Sequence, residues 1–276
     1  MEITMNTLKY TLSLGAVAIA TGIASADVVS VTIENTMASD SFFFTPVWVA
    51  AHNGGFDSYD GGELAGNFPG LTALAENGNT GPISNAFSAS AAGLAGGTQA
   101  TIAAFAFDGD APVFSPGEST SFDLDVGDSM VNRYFSYASM IVPSNDLFFA
   151  NGNPNAHELF DALGNFNGPL VINIYGRDVN DNGTEVNSAA NDAAFSMNDG
   201  QSIPESEFIR SLFSDGSDGD YLDSFIGSTA ANGVTIGSSF GADDLIATIT
   251  ITQVPTPSGA FALLGGGLIL ARRRRA

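Results

Sequence analysis

The sequence predicts a mainly β protein: an antiparallel β-sandwich with a few short helices. Three observations predict it. Short apolar runs alternate with polar residues at period two, glycine and proline turns separate these runs, and helical periodicity never persists beyond a few turns. The hydrophobic content of 44% is enough to build a core for a chain of 276 residues.

The first strand is set by Val29, Val31 and Ile33 facing one way and Ser30, Thr32 and Glu34 the other. A second run, 42–50, puts Phe42, Phe44 and Trp48 on one side, with Pro46 marking an edge or a bulge. The turn-rich stretch 52–62 ends in Asp60 and Glu63, which have capping-box spacing ahead of Leu64. Leu71, Leu74 and Ala75 predict one or two helical turns stopped near Gly78, and Ile83, Ala86 and Phe87 predict another short helix. Strands resume over 101–107, over 121–126 with Phe122, Leu124 and Val126 on one face, and over 134–142. Pro143 ends the last of these because it has no N–H to donate. Residues 155–164 read either as a capped helix or as a strand and turn. LVINIY at 170–175 reads as a buried strand, 187–219 as a long polar region, and 245–252 as the closing strand.

The formal net charge is −22. Lys9 and Arg272–Arg275 hold five of the eight basic residues, so the body between the ends has 3 basic against 29 acidic residues, about −26. Such a surface repels nucleic acid and anionic membranes and favours cations. Residues 1–26 have the form of a signal peptide: Lys9, an apolar run over 12–23, and Ala24-Ser25-Ala26 as a cleavage site. Cysteine is absent, so no disulfide holds the exported body, 27–254. The tail, 255–276, has Pro255 and Pro257, an apolar run over 261–271 and then Arg272, Arg273, Arg274 and Arg275. The apolar run is shorter than the ~20 residues of a standing transmembrane helix, and the arginines after it follow the positive-inside rule.

Two acidic turns carry the chemistry. PSND, 143–146, follows one strand, and RDVNDNGTEVN, 177–187, follows another. Each alone is an ordinary turn; together at one end of a sandwich, oxygen-only ligands suit Ca²⁺. Residues 178–183 mimic the start of an EF-hand loop, but position 12 is Ala189 and no flanking helix is evident. Catalytic signatures are missing: there are two histidines, no nucleophile elbow and no paired zinc histidines, so the chain is read as a non-enzyme.

The PSND turn, the DNGTE turn at 181–185, the opening strand with Pro46 and His52-Asn53-Gly54, the helix 71–81 and the closing ATITIT at 247–252 resemble, in order and spacing, the spondin domain. This module opens F-spondin and mindin and has many bacterial secreted relatives. The resemblance implies a β-sandwich over most of 28–254 and favours a strand and turn at 155–164. It also implies a calcium site built from Asp146, Asp181 and Glu185, with Asp125 as a further candidate. The tail resembles PEP-CTERM sorting tails of Gram-negative bacteria, with PTP in place of PEP. That resemblance implies transient inner-membrane retention through a C-terminal transmembrane helix, processing by an exosortase, and an extracellular or cell-surface destination. The expected function is a calcium-binding adhesion or matrix module whose partner is an extracellular polysaccharide or a surface protein. A secreted glycan hydrolase and a passive matrix protein are the alternatives.

Overall fold

The computed structural model describes residues 27–104, 112–190, 193–197, 200–214 and 218–255; the expected signal peptide, the expected sorting tail beyond Pro255 and residues 105–107 of the expected strand 101–107 lie outside these. Among the described residues, eleven strands run in chain order as β1 (Val28–Asn35), β2 (Phe43–Phe44), β3 (Val47–His52), β4 (Thr98–Ile102), β5 (Ser119–Asp125), β6 (Tyr134–Val142), β7 (Leu147–Ala150), β8 (Leu170–Tyr175), β9 (Val179–Asp181), β10 (Arg210–Ser211) and β11 (Leu245–Gln253). Four short helices accompany them: α1 (Leu71–Asn77), α2 (Gly81–Ala89), α3 (Ala91–Leu94) and α4 (Asp218–Asp223).

The strands form two antiparallel sheets, as the sequence predicts. One has four strands in the order β5-β1-β11-β8; the other has seven, β10-β9-β7-β6-β3-β4, with β2 beside β6. Between them lies the main core. Val29, Val31, Ile33, Ile172, Ile174, Ile249 and Ile251 come from the smaller sheet, and Val47, Val49, Phe135, Ile141 and Phe149 from the larger. A third layer was not foreseen. Helices α1 to α3 pack Leu71, Leu74, Ile83, Phe87 and Ala92 on the outer face of the larger sheet, against Trp48, Ala138 and Phe148. β3 and β6 are therefore covered on both faces, and their burial is nearly continuous rather than alternating.

Several expectations are corrected in detail. Trp48 faces the helical layer, opposite Phe42 and Phe44, because the break at Thr45-Pro46 between β2 and β3 shifts the alternation by one residue. In β11 the sequence predicts Leu245, Ala247, Ile249 and Ile251 on one face and Ile246 on the other, but a bulge between Leu245 and Ala247 turns both Ile246 and Ala247 inward. The strand β8 is buried on one face only; Val171 is outside. After Asp60 and Glu63 the chain makes only a three-residue 3-10 turn, Ala65–Asn67, with no side-chain cap. Residues 155–164 form bridges and a turn: Glu158 pairs with Tyr134 and Phe160 with Phe166, so no helix forms.

The register gives the sandwich two distinct ends. Val28 lies opposite Asp125 and Val29 opposite Gln253, so both termini of the body leave from one end. Asp146 and Asp181 lie at the other, where β6 has ended, β7 starts and β9 ends.

Candidate metal centre

Two strands that are not sequence neighbours bring the acidic turns together. β6 turns through Ser144–Asp146 into β7; Ser144 Oγ donates to Ile141 O, 2.6 Å, and accepts from Leu147 N–H, 3.2 Å. β7 pairs antiparallel with β9, placing Leu147 opposite Asp181. The start of one strand thus meets the end of the other, and Asp146 reaches the 181–185 turn. β8 itself lies in the other sheet. The chain crosses between sheets through the 3-10 turn Gly176–Asp178, where only glycine fits: a Cβ at Gly176 would stand 2.2 Å from Gly241 O.

Asp146 is fully buried and Asp181 is 1% exposed. One oxygen of Asp146, Oδ2, accepts from Thr184 N–H at 2.8 Å, Thr184 Oγ1 at 3.1 Å and Glu185 N–H at 3.1 Å. Asn182 N–H donates to the Asp146 carbonyl, 3.2 Å. Asp181 Oδ1 accepts from Gly183 N–H, 2.8 Å, closing the turn; Gly183 takes φ 67°, a conformation that favours glycine. Asp181 Oδ2 accepts from Asn187 Nδ2 at 2.8 Å and from Arg210 Nη2 at 3.0 Å, Arg210 being its register partner on β10.

Three buried oxygens of this network have no hydrogen-bond partner: Asp146 Oδ1, Asn182 Oδ1 and Asn187 Oδ1. The amide nitrogens of both asparagines are already engaged, Asn182 Nδ2 with Thr184 Oγ1 at 3.0 Å and Asn187 Nδ2 with Asp181. An unsatisfied buried acceptor costs about 1–3 kcal/mol. Burial, and then the charge of Asp181, push the Asp146 carboxyl up to about 7, against the opposing bonds from Thr184 and Glu185. Burial raises Glu205 as well, with Asp181 and Glu207 adding to it and Arg210 opposing.

No family model and no curated protein matches the chain.

Of the residues singled out from sequence, Asp146 and Asp181 come together. Glu185 joins them through its backbone N–H, while its carboxylate accepts from Ser202 Oγ. Asp125 lies on β5, the edge of the other sheet; it is exposed and accepts from Gly127 N–H at 2.8 Å. Among the described residues, no group of three or more His, Cys, Asp or Glu side chains is placed to hold one metal ion. The candidate donors are instead two carboxylates supplemented by amide oxygens. Asn182, Asn187, Arg210 and Glu76 were not singled out. Glu76, on α1, is raised by burial and by Glu185, and lowered by a hydrogen bond with Thr184. Asn182 and Asn187 stood within the acidic turn, and their carbonyl oxygens are ordinary ligands of hard cations.

These residues fit Ca²⁺ in chemistry. All candidate donors are oxygens, Asp146 and Asp181 form a repelling carboxylate pair, and three oxygens lack partners. Asn145 serves the turn instead. Its Oδ1 accepts from Tyr221 OH at 2.8 Å and from Ser188 N–H at 3.1 Å, which shapes the chain ahead of Asp146. Beside the site opens a cleft of about 650 Å³, lined by Asn187, Glu205, Arg210, Asp220, Tyr221 and Ser224 among others.

Proposed function

We propose that the chain is an exported, calcium-binding adhesion or matrix-interaction module. It binds Ca²⁺ through Asp146 and Asp181 with the carbonyl oxygens of Asn182 and Asn187, and Glu185 contributes through the turn it closes. The observation that carries this reading is the buried Asp146–Asp181 pair, in whose hydrogen-bond network three buried oxygens, Asp146 Oδ1, Asn182 Oδ1 and Asn187 Oδ1, have no partner. A divalent cation would cancel the repulsion and satisfy those oxygens together, and would stabilise the fold by mass action. The acidic body supports the same reading by drawing cations to its surface.

His52 supports binding over catalysis. It is wholly buried; its Nδ1 accepts from Gly54 N–H at 3.0 Å and its Nε2 lies 2.8 Å from Ser136 Oγ, so both nitrogens are spent on the fold. The partner is an extracellular polysaccharide or a surface protein, engaged at the end of the sandwich that holds Asp146. The tail associates with a membrane through its apolar run and four arginines, and is a substrate for an exosortase-type enzyme.

Calorimetric titration of the full chain with Ca²⁺ and Mg²⁺ tests the metal site. One saturable calcium event is expected, abolished by Asp181→Asn and weaker with Mg²⁺, whose small octahedral shell suits this amide-rich set poorly. No heat beyond dilution in the wild type would refute it.

A further inference from the structure

Opposite the metal centre, the end of the sandwich from which both termini leave carries a cluster of exposed apolar loop tips. Leu94, Leu163 and Met130 are 80%, 76% and 60% exposed, and three of the four most exposed large hydrophobic residues described lie here. Their loops are tied together. Asn132 Nδ2 donates to Gly96 O and to Val126 O, both at 2.8 Å, which joins the loop after Leu94 to the one holding Met130. A Cβ placed on Gly164 would lie 2.8 Å from Ser129 Oγ and 3.1 Å from Met130 Cγ, so the Leu163 turn rests on the Met130 loop.

Two of the three tips, Met130 and Leu163, are shaped by the same device. Asp128 Oδ1 accepts from Met130 N–H at 3.0 Å, and Asp161 Oδ1 from Leu163 N–H at 2.8 Å. One oxygen of each carboxylate thereby closes its own turn, while the group stays at the surface. Three such residues exposed on loops tied to one another at one end of the body have a cost in water, and apolar surface gathered in this way marks a contact.

What covers it follows from where the chain leaves. Val254 N–H donates to Val28 O at 2.9 Å, and Val126 N–H to Asp27 O at 2.9 Å, so the tail departs within a residue or two of the Met130 loop. That tail carries the apolar run and then Arg272–Arg275. We propose that Leu94, Met130 and Leu163 form a bilayer-contact face, which seats the body on the zwitterionic surface of the membrane that holds its own tail. The inference rests on the reading of the tail given above. It adds that the body touches lipid, and it points the Asp146 end away from the membrane.

The chain has no cysteine, so single labels can be placed cleanly. Full-length Leu94→Cys, Met130→Cys and Leu163→Cys carry an environment-sensitive fluorophore. Met197→Cys is the control, three residues after Ala194, whose N–H donates to Ser144 O at the Asp146 end. Each is mixed with phosphatidylcholine–phosphatidylethanolamine vesicles, floated on a density gradient and quenched with aqueous iodide. The three tip labels are expected to shift to the blue and to lose most of their quenching only when vesicles are present, with Met197 unchanged. A chain that does not float overturns both the tail reading and this inference. A chain that floats with all four labels equally quenched overturns this inference alone. Protection of the tips without vesicles overturns it in favour of a second protein copy.

Discussion

Asp146→Asn separates the cost of a buried charge from the gain of a bound cation. Without a cation, burial and Asp181 push the Asp146 carboxyl from its ordinary 3.8 up to about 7. A group whose pKa rises on folding stabilises the fold fully below its unfolded value and loses that contribution as pH rises through the folded value. Cation-free protein therefore loses stability between about pH 4 and pH 7. Each unit is worth about 1.36 kcal/mol, so the loss has a ceiling of roughly 4 kcal/mol, on the order of 10 °C in melting temperature for a chain of this size. Asparagine stays neutral, and its carbonyl can accept from Thr184 and Glu185 N–H as Asp146 Oδ2 does. In a chelator at pH 8 the variant should thus melt above the wild type. Calcium at a hundred times its Kd adds about 2.7 kcal/mol to the wild type and little to the variant. The order of stability should invert between chelator and calcium, read by circular-dichroism melts from pH 4 to pH 8. A wild type indifferent to calcium at pH 8, or a variant that keeps the full calcium shift, would refute the reasoning.

Arg210→Gln removes a positive charge that bonds Asp181 at 3.0 Å, so calcium should bind severalfold more tightly while the cation-free fold weakens; calorimetry showing unchanged or weaker binding would count against a cation at Asp181. Asp125→Asn should leave the calcium response unaltered and change stability by no more than about 0.5 kcal/mol, because this exposed side chain only closes its own turn. Glu185→Gln should weaken calcium binding less than Asp181→Asn does, since the Glu185 carboxylate is already engaged by Ser202. His52, lowered by burial from 6.5 to about 4, contributes stability that is present above pH 6.5 and lost as pH falls through about 4. A proton NMR titration of the two imidazoles should find both below 6.5, with His52 the lower; His52 titrating near 6.5 would show that it is not held neutral.

The sandwich was legible because its strands are short and half-buried. Val29, Val31 and Ile33 on β1, and Ile249 and Ile251 on β11, alternate against solvent, so period two is visible in the sequence and survives in the pairing of the two strands. The helical layer was not legible as a layer. Residues such as Trp48 and Ala138 face helices rather than water, so β3 and β6 show no alternation to read. Phase errors arose where one residue is added or skipped. The break at Thr45-Pro46 reverses the faces of the residues beyond it, the bulge after Leu245 turns two successive residues, Ile246 and Ala247, inward, and neither carries a local signal strong enough to time the slip.

At the site, the two turns were legible as oxygen-rich punctuation, but the path that joins them was not. Sequence order makes 134–142 and 170–175 the strands that deliver the acids, and as sheet neighbours they would have to run parallel for both turns to share an end. The chain avoids that requirement by changing sheets at Gly176–Asp178 and adding a three-residue strand, β9, to the edge of β7. A strand that short has no periodicity, so only the fold reveals it. The same crossover explains why the candidate donors include amide oxygens rather than a third carboxylate. Once β9 stacks on β7, the turn that follows must supply N–H donors to Asp146, and Thr184 and Glu185 spend their backbone there. What remains buried without a partner, besides Asp146 Oδ1, is carbonyl oxygen, from Asn182 and Asn187. Replacing a carboxylate by amides lowers the negative charge of the cation-free site and hence its self-repulsion, and it lowers calcium affinity with it. Such a site would fill at the high calcium levels of an extracellular medium, and would remain folded before it does.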